Sequence, residues 1–246
     1  MAEGILQGSN VTKNFGGLVA VQELDFSVRQ GEIHGLIGPN GAGKTTLLNC
    51  ISGFYPYDSG VITFKGRDVS KCSPPMICSM GIARTFQIPR QFPDETVLDN
   101  VTTGVLFGGS TVSRRNAKRD AAELLEFTGL SAKKASLAKE LPIPGLKRLG
   151  ITVALATKPE LLLLDEPIAG LNPTETVAAM ELVKKIRSER GITILMVEHN
   201  MKVIMNICDN ITVINFGKKI CEGPPEAVGS DVEVIKAYLG EEYKEV

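Results

Sequence analysis

The stretch that most constrains the fold is "GPNGAGKTT", residues 38–46, called here the phosphate loop. It fits the pattern G-x-x-x-x-G-K-[ST] from Gly38 to Thr45, and it lies between an apolar predicted strand, "HGLI", and a predicted helix, "KTTLLNCISG". Gly38, Gly41 and Gly43 let backbone N–H groups curl around phosphate oxygens, and the start of the helix adds a partial positive charge. The motif and its flanking elements together predict an α/β fold that binds nucleotide phosphates.

The residues of this loop have predicted roles toward a nucleotide. Lys44 can reach the β- and γ-phosphates, and the Thr45 hydroxyl can ligate Mg²⁺. A glycine-rich turn with a surface lysine is the alternative, and the agreement of every motif position and both flanking elements disfavours it. The predicted nucleotide-binding residues of the loop are Gly38, Asn40, Gly41, Ala42, Gly43, Lys44, Thr45 and Thr46.

A second motif, "LLLLDEP" (161–167), places two acidic residues at the end of an apolar strand. Asp165 can hold Mg²⁺, usually through water, and Glu166 can polarise an attacking water as a general base. An acidic pair after an apolar run is often only a solvated strand end. Its occurrence downstream of a phosphate loop favours the functional interpretation.

The rest of the chain consists of segments with strand-like or helical patterns of apolar residues. "LDFSVRQGEIHGLIG" (24–38) predicts two strands with a turn between them, and "GVITFKG" (60–66) predicts another. From about residue 96 to residue 158 the spacing is helical. The segment from 160 onward then predicts strand, helix, strand, helix, strand, with apolar strands that suit a parallel sheet covered on both faces. "DVEVIKAYLG" near the end predicts a short amphipathic helix.

Composition excludes several classes of protein. The net charge of −1 and the pI of 6.2 argue against a general nucleic-acid binder. No window reaches the roughly 18–20 apolar residues of a membrane span, and the N-terminus lacks the pattern of a signal peptide. The five cysteines are scattered without CxxC spacing, which favours reduced thiols in a cytosolic protein. Any role at a membrane is therefore expected to depend on a partner protein.

The order of these motifs resembles the ATP-binding subunits of ABC transporters, over about residues 6–240. The resemblance implies a single ATP-binding domain over 1–246 that binds ATP and Mg²⁺. Its fold would be an α/β P-loop NTPase (RecA-like) core with a mixed sheet and an N-terminal antiparallel β subdomain. The core would comprise 1–87 and 159–246, and 88–158 would form an inserted α-helical subdomain.

Further positions carry roles that only the resemblance implies. Phe15, in "VTKNFGGLVAV", would stack on adenine, although a core phenylalanine is the alternative. Gln87, in "ARTFQ", would touch Mg²⁺ and relay to the transmembrane partner. "AGLNP" (169–173) would cross a dimer interface, and His199, in "MVEHN", would contact the γ-phosphate. With the motif residues, the predicted catalytic set is Glu166, His199 and Lys44, and the predicted metal set is Thr45, Gln87 and Asp165. His34, in a strand before the phosphate loop, is predicted to be structural.

Within this class, "GIARTFQIPRQFPDETVLDNV" (81–101), "DEPIAGLNPTET" (165–176) and the ending "VIKAYLGEE" are similar to branched-chain amino acid importers. Related systems for urea or amides and for lipopolysaccharide remain alternatives, as does a regulatory subunit with low turnover. DNA-repair relatives carry long coiled-coil insertions and translation-associated relatives carry two cassettes. This chain has neither feature.

One loop departs from the family. The signature LSGGQ, counted back from "KPELLLLDEP", falls on "LPIPG" (141–145), called here the signature loop. Pro142 removes the serine hydroxyl and an N–H, Pro144 removes a second N–H, and Ile143 replaces a glycine. A shifted alignment could make Gly145 a signature glycine, but it restores neither the serine nor the second glycine. The expectation is a loop that keeps its structure, with proline suited to a helix start, and loses much of its γ-phosphate chemistry.

The signature loop shapes the predicted partners. In the family each ATP lies between one subunit's phosphate loop and the other's signature, so a homodimer of this chain would have two poor sites. A heterodimer with a second ATP-binding subunit is therefore favoured, with the homodimer still possible. The resemblance also implies transmembrane permease subunits, an indirect link to a substrate-binding protein, no nucleic acid, and a cytoplasmic location, peripheral on the inner face of the membrane.

Overall fold

A computed structural model describes residues 4–87, 91–108 and 113–239. The predicted boundary at residue 88 and the end of "VIKAYLGEE" lie outside the described residues. The strands are β1 (Gly4–Phe15), β2 (Leu18–Arg29), β3 (Ile33–Ile37), β4 (Ser59–Phe64), β5 (Arg67–Asp68), β6 (Ile82–Arg84), β7 (Leu161–Asp165), β8 (Thr193–Val197), β9 (Asn210–Asn215) and β10 (Lys218–Gly223).

The helices follow the same chain order. They are α1 (Lys44–Ile51), α2 (Pro74–Ser79), α3 (Val97–Phe107), α4 (Arg114–Phe127), α5 (Ile143–Ala156), α6 (Pro173–Arg190), α7 (Met201–Ile207), α8 (Pro225–Gly229) and α9 (Val232–Leu239), with short 3₁₀ turns at Ser131–Lys133 and Ala138–Glu140. Within the described ranges, none of these helices is long and apolar enough to cross a membrane.

The chain forms two compact units, one comprising residues up to 74 together with those from 193 onward, and the other comprising 75–192. The first, called here the loop unit, contains an antiparallel sheet in the order β2-β1-β4-β5. Strand β1 is irregular, because its register with β2 shifts between Gly8 and Val11, and Asn10 has a φ of 50°. This irregularity hides the strand from a period-two reading of the sequence.

The loop unit also contains the ladder β10-β9-β3-β8. Strand β3 is parallel to both β8 and β9, and β9 is antiparallel to β10. Every residue of β3 and β8 is buried, as expected for parallel strands covered on both faces. Leu36 pairs with Val197, so β3 and β8 end at the same edge. The predicted strands and their parallel arrangement are confirmed here.

The second unit, called here the helical unit, contains the parallel pair β6 and β7 and the helices α3 to α6. Helices α3, α4 and α5 share an apolar core, whose members are Val97, Val101, Val105, Ala117, Ala121, Leu125, Leu130, Ala138, Leu141, Leu149 and Ala156. The predicted run of helices between residues 96 and 158 is confirmed. Arg84 pairs with Leu163, so β6 and β7 end at a common edge, and Gln87 and Glu166 follow those ends.

Candidate nucleotide-binding and hydrolysis site

The phosphate loop connects the buried strand β3 to α1 in a conformation that requires glycine. Gly38 has a φ of 152°, and a Cβ there would lie 2.0 Å from the carbonyl oxygen of Ile214. Gly43 has a φ of 104°, and its Cβ would lie 2.2 Å from the oxygen of Ala20. Side chains at either position would therefore push the loop off its two supports. Asn40, Gly41 and Thr45 are exposed, whereas Ala42 is buried.

The Lys44 side chain is 6% exposed and lies against its own loop. Its Nζ donates to the carbonyl oxygen of Gly38 at 2.5 Å and to that of Pro39 at 2.8 Å. Lys44 is also the first residue of α1, whose unpaired N–H groups favour an anion at that end. The loop thus holds a buried ammonium group at a helix start, an arrangement suited to phosphate oxygens.

One contact that sequence reasoning missed supports the loop from the C-terminal part of the chain. The N–H of Gly217, in the turn between β9 and β10, donates to the carbonyl of Ala42 at 3.0 Å. Gly217 belongs to no motif that would indicate this role.

Phe15 ends β1 and is 44% exposed, so it is not a core phenylalanine. Its ring meets the ring of Tyr55 edge to face, with centroids 5.4 Å apart, and the Lys13 ammonium lies 5.1 Å from its centroid. Phe15 pairs with Leu18 across the β1–β2 hairpin. The second strand of that hairpin reaches the phosphate loop, since Ala20 is the residue that approaches Gly43. An exposed aromatic face near the loop is what base stacking needs.

The structure brings His199 to the same edge as the phosphate loop. His199 is exposed and follows β8 by two residues, and the N-cap Asn200 opens α7 behind it. Because β3 and β8 are parallel, the phosphate loop and His199 leave the sheet at one edge. His34, in contrast, is buried, with its Nδ1 2.9 Å from a Glu32 oxygen and its Nε2 2.8 Å from the Thr212 hydroxyl. This burial agrees with a structural role for His34.

In the helical unit, Asp165 ends β7 and is held by an arginine. Arg84 Nη2 lies 2.8 Å from Asp165 Oδ2, and the two side chains are 6% and 3% exposed. The other oxygen, Oδ1, is buried and has no hydrogen-bond partner among the described residues. Arg84 lies two residues before "FQ" in "ARTFQ", and sequence reasoning missed it. The sequence feature that could have indicated its role is a charged arginine within a short, otherwise apolar strand.

Glu166 has an unusual backbone. Its φ is 48°, in the left-handed region, and the next residue is Pro167, which favours an extended conformation before it. A non-glycine residue held there costs on the order of 1–3 kcal/mol, and such strain is typical of functional sites. Its carboxylate accepts a hydrogen bond of 2.6 Å from Gln87 Nε2. The structure therefore brings the predicted base and the predicted glutamine together.

The main chain of Glu166 has its own partner. Lys147 Nζ, from α5, donates to the Glu166 carbonyl oxygen at 2.6 Å. The segment "AGLNP" (169–173) then leads into α6, whose N-cap Asn172 accepts from the N–H of Glu175. The hydrogen bond of Lys147 therefore connects α5 to the main chain that leads into this segment.

The signature loop keeps the expected helix start. Helix α5 begins at Ile143 with Pro142 as its N-cap, and no side chain caps it. Leu141 is buried in the helical core, whereas Ile143 is 59% exposed at the helix start. The exposed start of α5 therefore presents a branched apolar side chain and two proline rings in place of a hydroxyl and two N–H groups.

Comparisons with known proteins agree with this geometry. The family model described as "ABC transporter" matches residues 21–169, and the model described as "Branched-chain amino acid ATP-binding cassette transporter" matches residues 218–244. The chain belongs to the ABC transporter family, as one of its ATP-binding cassettes. It is 41% identical to a high-affinity branched-chain amino acid transport ATP-binding protein, LivG, of Salmonella typhimurium, over 98% of this chain and 100% of the relative.

Other relatives and solved structures extend the likeness. The corresponding protein BraF of Pseudomonas aeruginosa is 39% identical over 98% of this chain and 100% of its own length. The ADP conformation of the ABC transporter cassette MJ1267 superposes with a TM-score of 0.88 at 33% identity, over 98% of this chain and 100% of that one. A nucleotide-free cassette superposes with a TM-score of 0.87 at 33% identity, over 97% of this chain and 100% of its own. The predicted P-loop fold and the predicted ABC ATPase are confirmed.

Proposed function

We propose that this chain is the ATP-hydrolysing subunit of an importer for branched-chain amino acids, and that Glu166 is its general base. The observation that carries the proposal is the hydrogen bond between Gln87 and Glu166 at the shared edge of β6 and β7, next to Asp165. This cluster lies in a chain that also has a complete phosphate loop. The names of the relatives support the substrate.

Each residue of the candidate site has its own role in nucleotide binding or in hydrolysis. Lys44 exchanges the carbonyls of its own loop for the β- and γ-phosphates, and α1 contributes its N–H groups. Phe15 stacks on the adenine. Glu166 accepts a proton from the attacking water, and Gln87 fixes the orientation of its carboxylate. His199 donates to the γ-phosphate as negative charge moves onto the leaving group.

The residues present fit a magnesium ion. Mg²⁺ in such sites is usually bound by one or two carboxylates, substrate phosphates and water. Asp165 offers Oδ1, the buried oxygen that lacks a hydrogen-bond partner in the described parts of the chain, while Arg84 occupies Oδ2. Thr45 offers an exposed hydroxyl, and Gln87 an amide oxygen. When bound, the ion would neutralise charge on the phosphates, and Thr45, Gln87 and Asp165 would hold it.

The proposed pairing with a different ATP-binding subunit rests on the signature loop. The exposed start of α5 lacks the serine hydroxyl and, because of Pro142 and Pro144, two of the N–H groups that would contact a partner's γ-phosphate. A second, different ATP-binding subunit with a complete signature would supply those groups to the nucleotide bound here. The heterodimer would attach to permease subunits at the inner face of the membrane, with the substrate-binding protein acting indirectly.

The test uses the transporter purified with its co-encoded subunits and reconstituted into liposomes. Glu166→Gln should leave ATP binding intact and lower turnover by about 10²- to 10⁴-fold, because the amide keeps the shape but cannot accept the proton. Uptake of labelled leucine should fall in parallel, whereas urea and short amides should not be taken up by the wild type. Normal turnover by the variant would remove Glu166 from its role, and uptake of urea alone would refute the substrate.

A second candidate is a nucleotide-binding regulatory subunit with low turnover, which the signature loop favours. Steady-state ATP hydrolysis separates the two, measured for this chain alone and with its partner subunit. In the partner's presence the site of this chain should turn over, and Glu166→Gln in this chain should abolish that share. If the same substitution leaves the assembled complex at full rate, the regulatory role is the correct one.

A further inference from the structure

Lys147 lies on the second turn of α5, beyond the signature loop. Two residues further on, Leu149 packs into the apolar core of the helical unit, so this part of the helix is anchored. Lys147 itself is half-buried, and with Pro167 it lines a cleft of about 170 Å³ beside α5 and α6. Its Nζ reaches the Glu166 carbonyl oxygen at 2.6 Å. The side chain therefore extends from a fixed helix to the main chain that follows β7.

Glu166 has a backbone conformation that the surrounding structure must hold. Its φ is positive, a region that residues other than glycine rarely adopt, and the proline that follows favours an extended backbone instead. The N–H of Ala169 is 3.3 Å from the Glu166 carbonyl oxygen, which is longer than the contact of Lys147. At the other end of the residue, Gln87 binds the carboxylate. Lys147 thus acts on the main chain of Glu166, and Gln87 acts on its side chain.

We propose that Lys147 is a positioning residue for ATP hydrolysis, which holds the backbone of Glu166 so that its carboxylate meets the attacking water. The proposal rests on the proposed role of Glu166 as the base. It gives α5 a function within its own subunit, separate from the chemistry that the signature loop has lost. Leu141 and Leu149 anchor the helix in the apolar core, and Lys147 connects the anchored helix to Glu166.

A purely structural lysine is the alternative, and the chain offers a matched control. Lys185, on α6, donates from Nζ to the carbonyl oxygen of Phe127 at 3.1 Å and lies over the Phe127 ring. It makes the same kind of contact, lysine to main-chain carbonyl, in the same unit. Both of these contacts are with Phe127, which is not one of the residues assigned to the site. Lys185→Met therefore reports the effect of losing such a contact without affecting Glu166.

The experiment compares ATP turnover and ATP affinity in the assembled transporter. Lys147→Met should lower kcat by about tenfold to 10²-fold, because small displacements of a catalytic group have effects of that size. ATP affinity, measured by calorimetry, and KM should stay within about twofold. Lys147→Arg, which keeps a charged donor, should recover most of the turnover. Lys185→Met should match the wild type in all three quantities.

A double substitution shows whether Lys147 acts through Glu166. In the Glu166→Gln background, Lys147→Met should lower the residual single-turnover rate no further. A further tenfold loss in that background, a loss of ATP affinity, or wild-type turnover of Lys147→Met would each overturn the proposal. If Lys147→Met does not fold, Lys147→Gln, which is too short to keep the contact, takes its place. Full turnover of Glu166→Gln alone would identify the assignment of the base as the error, and would overturn the role of Lys147 with it.

Discussion

The buried ion pair between Arg84 and Asp165 allows a sharp prediction about stability. The two side chains are 2.8 Å apart and 6% and 3% exposed, so neither charge has much water to interact with. Arg84→Met keeps an unbranched apolar chain of similar length and removes the guanidinium group. Asp165 would then remain as a buried carboxylate whose main counter-charge is gone. We expect the folded state of the nucleotide-free protein to be strongly destabilised.

The expected size follows from burial. Removing one partner of a buried ion pair typically costs about 3–5 kcal/mol, because the remaining charge is left uncompensated. Arg84→Met combined with Asp165→Asn removes both charges and should recover most of that loss. The difference between the double substitution and the sum of the two single ones measures the coupling of the pair, and residues in direct contact usually give about 0.5–3 kcal/mol.

The assay is urea unfolding of the purified chain without nucleotide or Mg²⁺. Far-ultraviolet circular dichroism is the suitable probe, because the chain has no tryptophan. Lys139→Met is the matched control, since Lys139 and Asp94 form an ion pair at the same 2.8 Å but with side chains 53% and 80% exposed. That control should change the unfolding midpoint little, because water screens an exposed pair.

Two results would refute this reasoning. Unfolding of Arg84→Met at the same urea concentration as Lys139→Met would show that burial does not increase the contribution of the pair to stability. Alternatively, the double substitution could be no more stable than Arg84→Met alone. The Asp165 charge would then not be the cause of the loss, and the packing of the Arg84 side chain would explain it instead.

Three further predictions concern other parts of the chain. Phe15→Ala should weaken ATP and ADP binding equally, by about 1–3 kcal/mol as in base–aromatic stacking elsewhere, and a loss confined to ATP in calorimetry would contradict stacking. Changing residues 142–145 to Ser-Gly-Gly-Gln should give the purified chain ATP-dependent dimerisation and hydrolysis, and equal rates in the wild type would show that the signature loop already works. Glu32→Gln should reduce the loss of stability in acid. Burial raises the Glu32 pKa, but hydrogen bonds with His34 and the Arg29 N–H bring it below its ordinary value of 4.5. The Glu32 carboxylate therefore stabilises the fold above about pH 4.5, and this contribution disappears as the pH falls through the lower folded pKa. Urea midpoints between about pH 6 and pH 3 should fall less in the variant.

The elements that the sequence predicts well are those with regular apolar patterns. Strands β3, β7 and β8 are continuous apolar runs, and the helices between 96 and 158 have clear spacing. Strand β1 was not predicted, because its bulge near Asn10 breaks the alternation and Gly8 has no side chain. A Cβ on Gly8 would lie 2.1 Å from the Phe26 ring, so the glycine is required by packing that no local pattern shows.

The candidate site likewise contains residues that the sequence predicts and residues that it does not. Motif residues such as Lys44 and Asp165 could be named from the sequence, because their spacing is fixed by the chemistry of phosphate and metal binding. The residues that support them could not. Arg84 and Lys147 act on motif residues that lie 81 and 19 positions away along the chain, and their partners depend on how strands and helices pack. A lysine on an amphipathic helix looks like an ordinary surface residue until its partner is known.

The signature loop and the contact made by Lys147 both belong to the first two turns of α5 and the residues before it. The proline residues of the signature loop remove donors that would serve the nucleotide of another subunit, yet α5 begins where the family's helix would begin and packs through Leu141 and Leu149 into the core. If the helix served only the partner subunit, its place would be fixed by this apolar packing alone. The contact of Lys147 with the Glu166 carbonyl adds a connection to this subunit's own site. A subunit can then lose its contribution to the other ATP site and still need the same helix to hydrolyse its own ATP. With the proposed role of Lys147, the phosphate loop, Asp165 and Glu166 can remain complete beside a signature in which two prolines have removed donors.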